Sequence, residues 1–196
     1  MEPGTVIRML GHRNEETISW VPDGVIRHDG QQGNELITDP DHLLVMNAGS
    51  GFWHAEETAA DDPPLRMLQI FVRPHSLELE PGIQHERIPD AVRNEWRHLF
   101  GPEGGEAPLS SATTSTATTA VSTPGRPLRS HLGRVGTYLY VFEGEVTVDG
   151  VPVEYTESSL VTGETDASVA AVEESTVIAF RLDPDAPVTR SGTIGR

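Results

Sequence analysis

Cysteine is absent from these 196 residues, which excludes disulfides, thiolate nucleophiles and any metal site built on cysteine sulfur. Lysine is absent as well. All 14 basic side chains are arginine, set against 30 aspartates and glutamates, for a formal charge of −16. A chain this acidic repels phosphate backbones and anionic bilayers, so neither nucleic acid nor a membrane surface is an expected partner. The lack of lysine fits GC-rich coding and carries no functional signal. No apolar run approaches the ~20 residues that span a bilayer. Met1 to Leu10 lacks the long apolar stretch of a signal peptide. A cytoplasmic location is therefore expected.

The chain does contain 15 prolines and 19 glycines, punctuating short, closely spaced apolar runs in the manner of an all-β fold. Thr17–Val21, Val25–His28, Glu35–Thr38, Leu43–Met46 and Met67–Val72 read as strands, separated by turn chemistry such as Pro22-Asp23-Gly24 and Asp39-Pro40-Asp41. Asp90–Phe100 reads differently. Val92, Trp96, Leu99 and Phe100 fall at i, i+4, i+7 and i+8, which predicts a short helix. Gly101 to Pro108 then reads as a linker, dividing the chain into residues 1–100 and 101–196. Ser110–Thr123 is almost entirely Ser, Thr and Ala. Its threonines and its lack of charge favour strand over flexible linker.

An internal repeat supports two copies of one β unit. Val21, Asp23, Gly24, Asp29 and Gly30 recur as Val141, Glu143, Gly144, Asp149 and Gly150, each 120 residues on. Both copies read strand, acidic-Gly turn, strand, Asp-Gly turn. Two barrels joined by the helix and linker are expected.

Of the eight histidines, most read as surface or turn residues: His28 stands before a turn, His42 follows Pro40-Asp41, and His98 falls on the expected helix. His12 and His54 differ. Alternate residues of a strand share a face, so His54 pairs with Glu56, and His12 with Asn14 and Glu16. Imidazole and carboxylate on neighbouring strands suit a divalent iron, manganese or nickel ion with open coordination positions. His-x-Glu alone is a weak signal. Large apolar side chains near these residues, Trp20, Met46, Phe52 and Trp53, suit a flat organic ligand, or else ordinary barrel core.

Leu10-Gly11-His12-Arg13-Asn14-Glu15-Glu16-Thr17-Ile18-Ser19-Trp20-Val21-Pro22-Asp23-Gly24 resembles the pirin pattern H-P-H-R-x-x-E-x-x-T-Y-V-x-E-G, and Ala48 to Glu56 resembles A-G-x-G-x-x-H-S-E. Leu68-Gln69-Ile70-Phe71-Val72 and Gly133 to Gly150 extend the resemblance over nearly the whole chain. It implies two tandem cupin-type jelly-roll barrels with a short connecting helix. It also implies one metal held by three histidines and one glutamate. Carried over, the ligand positions are Leu10, His12, His54 and Glu56, and leucine cannot ligate. Glu16 stands where the general cupin motif places a ligand. Two readings therefore stay open: a site of His12, Glu16, His54 and Glu56, or a pocket without metal in which Leu10 fills the vacated position.

At the same offset the second copy has Ser130, Leu132, Gly136, Glu174 and Thr176, with His131 out of parity. The C-terminal barrel is expected to be structural. Pirins carry a few dozen residues before the first motif, whereas Gly4 opens it here, so the first barrel is expected to be open on one side, or completed by a second subunit, as in a homodimer, or by the C-terminal tail after Asp183. Three functions follow. One, implied by the resemblance, is a quercetin-type dioxygenase with the metal on His12, His54 and Glu56 and with Glu56 or Glu16 as base. The second is a metal-free cyclase or isomerase for a small aromatic or polyketide-like substrate. The third is a non-enzymatic regulatory binder.

Overall fold

The computed structural model describes residues 1–31, 33, 35–128, 136–162, 167–187 and 189–194. These form two compact units. The first holds residues 1–88, 109–113 and 187–196, and the second 89–108 and 114–186. All regular elements among the described residues are strands.

In the first unit, β1 (Val6–His12), β2 (Glu16–Asp23), β3 (Ile26–Gly30), β4 (Glu35–Thr38), β5 (His42–Asn47), β6 (Phe52–Glu57), β7 (Arg66–Val72) and β8 (Gly82–Arg87) make two antiparallel four-stranded sheets. Their orders are β1-β6-β3-β4 and β7-β2-β5-β8. Leu44 and Met46 of one sheet pack on Phe52 and Leu36 of the other, and Val21 and Met67 pack on Ile26. The two sheets thus face each other across a lumen, and alternation along each strand decides what enters it.

The second unit contains β9 (Arg97–Pro102), β11 (Thr116–Ser122), β12 (Pro127–Leu128), β13 (Thr137–Glu143), β14 (Val146–Val148), β15 (Val151–Val153), β16 (Ser158–Val161), β17 (Val169–Ala171) and β18 (Ser175–Arg181), while β10 (Leu109–Ser111) belongs to the first. One sheet runs β12-β17-β14-β15, and another contains β9-β11-β18-β13-β16. The duplication is visible in this connectivity. Order β12-β17-β14-β15 repeats β1-β6-β3-β4, and β18-β13-β16 repeats β7-β2-β5. Val21 and Val141 are both fully buried. Gly24 and Gly144 turn with φ of 94° and 81°, which glycine adopts without steric cost. Leu139, Val141, Val146, Val148, Val169 and Val177 fill the second core.

Two expectations are corrected. The helix over Asp90–Phe100 is not formed. Asn94 has φ of 63°, incompatible with a right-handed helix, and its side chain bonds the backbone N–H of Thr123 at 2.9 Å and the Thr123 hydroxyl. Beyond it, Phe100 and His98 pair with Ala117 and Thr118 of β11. Strand partners remote in sequence overrode a helical spacing carried by a few residues. The division at residue 100 moves accordingly. The chain enters the second unit at Pro89, and Gly101 and Pro102 end β9 instead of opening a linker. The Ser/Thr/Ala stretch is ordered, as β10 and β11.

Candidate functional site

β6 is the centre of the site because it lies between β1 and β3. Leu10 of β1 stands opposite His54, and His28 of β3 stands opposite Glu56. Directly opposed residues share a face, so Leu10, His12, His28, Phe52, His54 and Glu56 all turn into the lumen. From the other sheet, Thr17 stands opposite both Met46 and Phe71, and Gln69, opposite Ser19, shares their face one step along the strand. Gln69 Nε2 crosses the lumen to donate to both Glu56 oxygens, at 3.0 and 3.1 Å.

The donor atoms of His28, His54 and Glu56 lie within 4.8 Å of one another, and all three residues are buried. His28 and His54 stack with ring centroids 4.7 Å apart. Their Nδ1 atoms are 3.2 Å apart, and 3.9 and 3.8 Å from Glu56 Oε1. The His12 ring lies 5.0 Å from that of His54. Nε2 of His28 and of His54 is buried without a hydrogen-bond partner. Buried imidazole nitrogens are ordinarily satisfied, so two orphans on the rings that neighbour Glu56 fit a site that takes a further group. Divalent metals fit the donor set, since neutral imidazole and carboxylate are the ligands of first-row ions.

Electrostatics point the same way. Burial, reinforced by the neighbouring histidines, pushes the His54 imidazolium down to about 4 against the pull of Glu56, leaving a neutral ring with a lone pair. Burial alone would raise Glu56, but His28, the charge of His54 and the Gln69 amide together hold it below the ordinary range.

The sequence-predicted residues divide by strand parity. His12, His54, Glu56, Leu10, Met46 and Phe52 face the lumen, Met46 and Phe52 as packed core. Glu16 does not. It lies on the opposite face of β2 from Thr17, where its carboxylate accepts bonds from the Ser111 hydroxyl and the Ala112 N–H. Trp20, of the same parity, is buried on that reverse side. Trp53 alternates outward, 55 % exposed, and covers Gly11, where a Cβ would stand 2.9 Å from its indole.

His28 and Phe71 were missed. Phe71 is 40 % exposed, with its ring 6.1 Å from that of His12. His28 looked like a turn residue, yet one sequence signal was available. Its counterpart 120 residues on is Val148, an apolar residue of a strand, which marks position 28 as inward-facing. In the second unit Val148 pairs with Val169, as His28 pairs with Glu56. The counterpart of Glu56 is therefore Val169 and not Thr176, because the chain from β14 to β17 is shorter than that from β3 to β6 and the constant offset fails there. Ser130, His131 and Leu132 lie outside the described residues.

Glu16 offers a test apart from the site. Burial, the largest influence, raises its carboxyl above the ordinary 4.5, partly offset by Ala112, Ser111 and His75. A carboxyl raised on folding binds protons more readily in the native state, so it costs stability as pH rises through its native titration. Glu16→Gln keeps an acceptor oxygen. The variant is expected to be more stable than the parent at pH 7, with the difference vanishing as pH falls below about 4.5. Urea unfolding at the two pH values checks this.

Residues 2–72 match the family described as Pirin. A protein named quercetin 2,3-dioxygenase from Escherichia coli O157:H7 is 22 % identical over 174 residues, covering 88 % of this chain and 74 % of its own. A pirin-like protein from Caulobacter vibrioides is 26 % identical over 181 residues, covering 90 % and 77 %. The crystal structure of YhhW from Escherichia coli superposes with a TM-score of 0.86 at 22 % identity, over 94 % of this chain and 78 % of the other. Bacterial pirin YhhW in complex with nickel(II) gives 0.83 at 21 % identity, over 94 % and 79 %.

Proposed function

We propose, taking this chain as a pirin-like protein of the cupin superfamily, that its N-terminal barrel is a divalent-metal site acting on a flat, hydroxyl-bearing aromatic small molecule, in the manner of a quercetin-type dioxygenase. The observation that carries this reading is the buried His28–His54–Glu56 cluster, with the orphaned Nε2 atoms of its two imidazoles. His28 takes the place of the ligand that Leu10 cannot be. With His12 beside His54, three histidines and one glutamate are again present, now drawn from β1, β3 and β6. When bound, a divalent first-row ion supplies Lewis acidity and redox chemistry toward dioxygen.

The chain's own residues do the rest. Gln69 fixes the Glu56 carboxylate by two hydrogen bonds, and a fixed donor holds geometry better than a free one. Burial keeps the His54 lone pair available at neutral pH. Phe52, Met46 and Leu10 present an apolar wall, and Phe71 stands half-exposed beside His12, where a planar ring can enter. The relatives named quercetin 2,3-dioxygenase support the substrate class.

The test is elemental analysis of the purified full-length chain after dialysis, followed by oxygen uptake with a flavonol. One divalent ion per chain and flavonol-dependent uptake are expected, both lost in His54→Ala. A chain that retains no ion after exposure to iron, manganese and nickel, or a His54→Ala variant that retains it, would overturn the reading.

A further inference from the structure

Glu15 is buried, 3 % exposed, and the ligand set leaves it unused. A carboxylate is kept out of water only where its oxygens are bonded. Oε1 lies 2.5 Å from His12 Nδ1, and Oε2 accepts the backbone N–H of Ile194 at 2.8 Å. The first contact is local. The connection between β1 and β2 turns at Asn14, with φ of 57°, and returns Glu15 onto His12. The second comes from a segment 179 residues away in sequence.

That segment, residues 189–194, is fastened beside the turn. Thr193 N donates to the Arg13 carbonyl at 3.0 Å, and Arg13 N donates to Thr193 Oγ1 at 2.8 Å. Arg73 donates to the carbonyls of Thr189 and Ile194, at 3.2 and 3.0 Å. The Thr189 hydroxyl donates to the Pro74 carbonyl at 2.9 Å. At Gly192 the two backbones touch: a Cβ there would lie 2.9 Å from the Arg13 carbonyl oxygen and 3.0 Å from that of Asn14.

We propose that Glu15 is a positioning residue that holds His12 as the Nδ1–H tautomer with Nε2 as its coordinating nitrogen, and that the 189–194 segment holds Glu15 in place. An ionised carboxylate only accepts hydrogen bonds, so the nitrogen facing it carries the proton and the lone pair goes to the other. A histidine so fixed meets a metal with its tautomer and ring orientation already chosen. This role rests on the ligand assignment proposed above. It also makes a remote stretch of chain part of the site.

The experiment has two readouts on the full chain, the imidazole nitrogen shifts of His12 by NMR without metal, and nickel(II) affinity by titration calorimetry. The parent is expected to show His12 protonated at Nδ1. Glu15→Ala is expected to mix the tautomers and weaken nickel(II) binding by about 10–100-fold, the usual loss when an outer partner of a ligating histidine is removed. Glu15→Gln keeps one acceptor oxygen for the His12 Nδ1–H but sets an NH2 where the Ile194 N–H was accepted, and is expected to fall between the parent and Glu15→Ala in both readouts. Gly192→Val, which pushes the segment off the turn without touching a proposed ligand, is expected to move both in the direction of Glu15→Ala. The proposal is overturned if Glu15→Ala leaves tautomer and affinity unchanged, if Glu15→Gln is as impaired as Glu15→Ala, or if Gly192→Val matches the parent in both. Tautomer changes as expected in a parent that does not bind nickel(II) would sink the ligand assignment and uphold the positioning by Glu15.

Discussion

His28→Ala is expected to lose stoichiometric divalent-metal binding, with affinity falling by more than about 100-fold, because a lost ligand costs more than the 10–100-fold of a lost outer partner. A second change in the same chain, Leu10→His, is expected to recover much of it. The reason is register. Residue 10 faces His54 across β1 and β6, and residue 28 faces Glu56 across β6 and β3, so both positions turn to one face of the strand that carries the other two donors. An imidazole on either flank can complete the set. Nickel(II) titration of the parent, the single variant and the double variant checks this. Parent-like binding by His28→Ala would show that His28 is a bystander. A double variant as weak as the single one would show that the β1 flank cannot reach the centre.

Phe52→Ala is expected to destabilise the first unit by about 3–5 kcal/mol, the range for removing a fully buried phenylalanine and leaving a cavity. Phe52 is completely buried at the contact between the two sheets, with Leu44, Met46 and Ala48. Its ring also stands 6.4 Å from that of His28, and a Cβ on Gly30 would meet it at 3.2 Å. The loss is thus both to packing and to the wall that holds His28 in line. Urea unfolding followed by the fluorescence of Trp20, buried in this unit, measures the first effect. A change below about 1 kcal/mol would mean that neighbouring side chains close the gap.

Much of the fold was legible because strand signals are local. Alternation, Gly-containing turns and the repeat identified β2, β3, β4, β5 and β7 and the counterparts β13 and β14 of the repeated hairpin, and the same turn at Gly24 and Gly144 appears in both units with positive φ. The helix over Asp90–Phe100 was misread because four apolar residues at helical spacing do not report Asn94 turning the chain, nor β11 waiting to pair with Phe100. At the site, His54 and Glu56 were legible from alternation within one strand. Glu16 was misplaced for the same reason in reverse. Parity groups Glu16 with Ile18 and Trp20, but which face of β2 looks inward depends on partners that are remote in sequence, and Gln69 and Phe71 lie opposite Ser19 and Thr17.

The sequence by itself determined that this is an all-β duplicated chain without cysteine chemistry, strongly acidic, whose candidate metal-ligating side chains cluster in the first copy and whose Leu10 stands where the pirin pattern that it resembles has a histidine. These follow from residue identity and short-range spacing, which need no folded partner. Only the tertiary structure decided that His28 lies with His54 and Glu56, that Glu16 faces Ser111, and that residues 189–194 reach Glu15. The physical reason is that an antiparallel sheet makes neighbours of residues far apart in the chain. A register set by the packing of whole faces, and not by any one residue, chooses which of them meet.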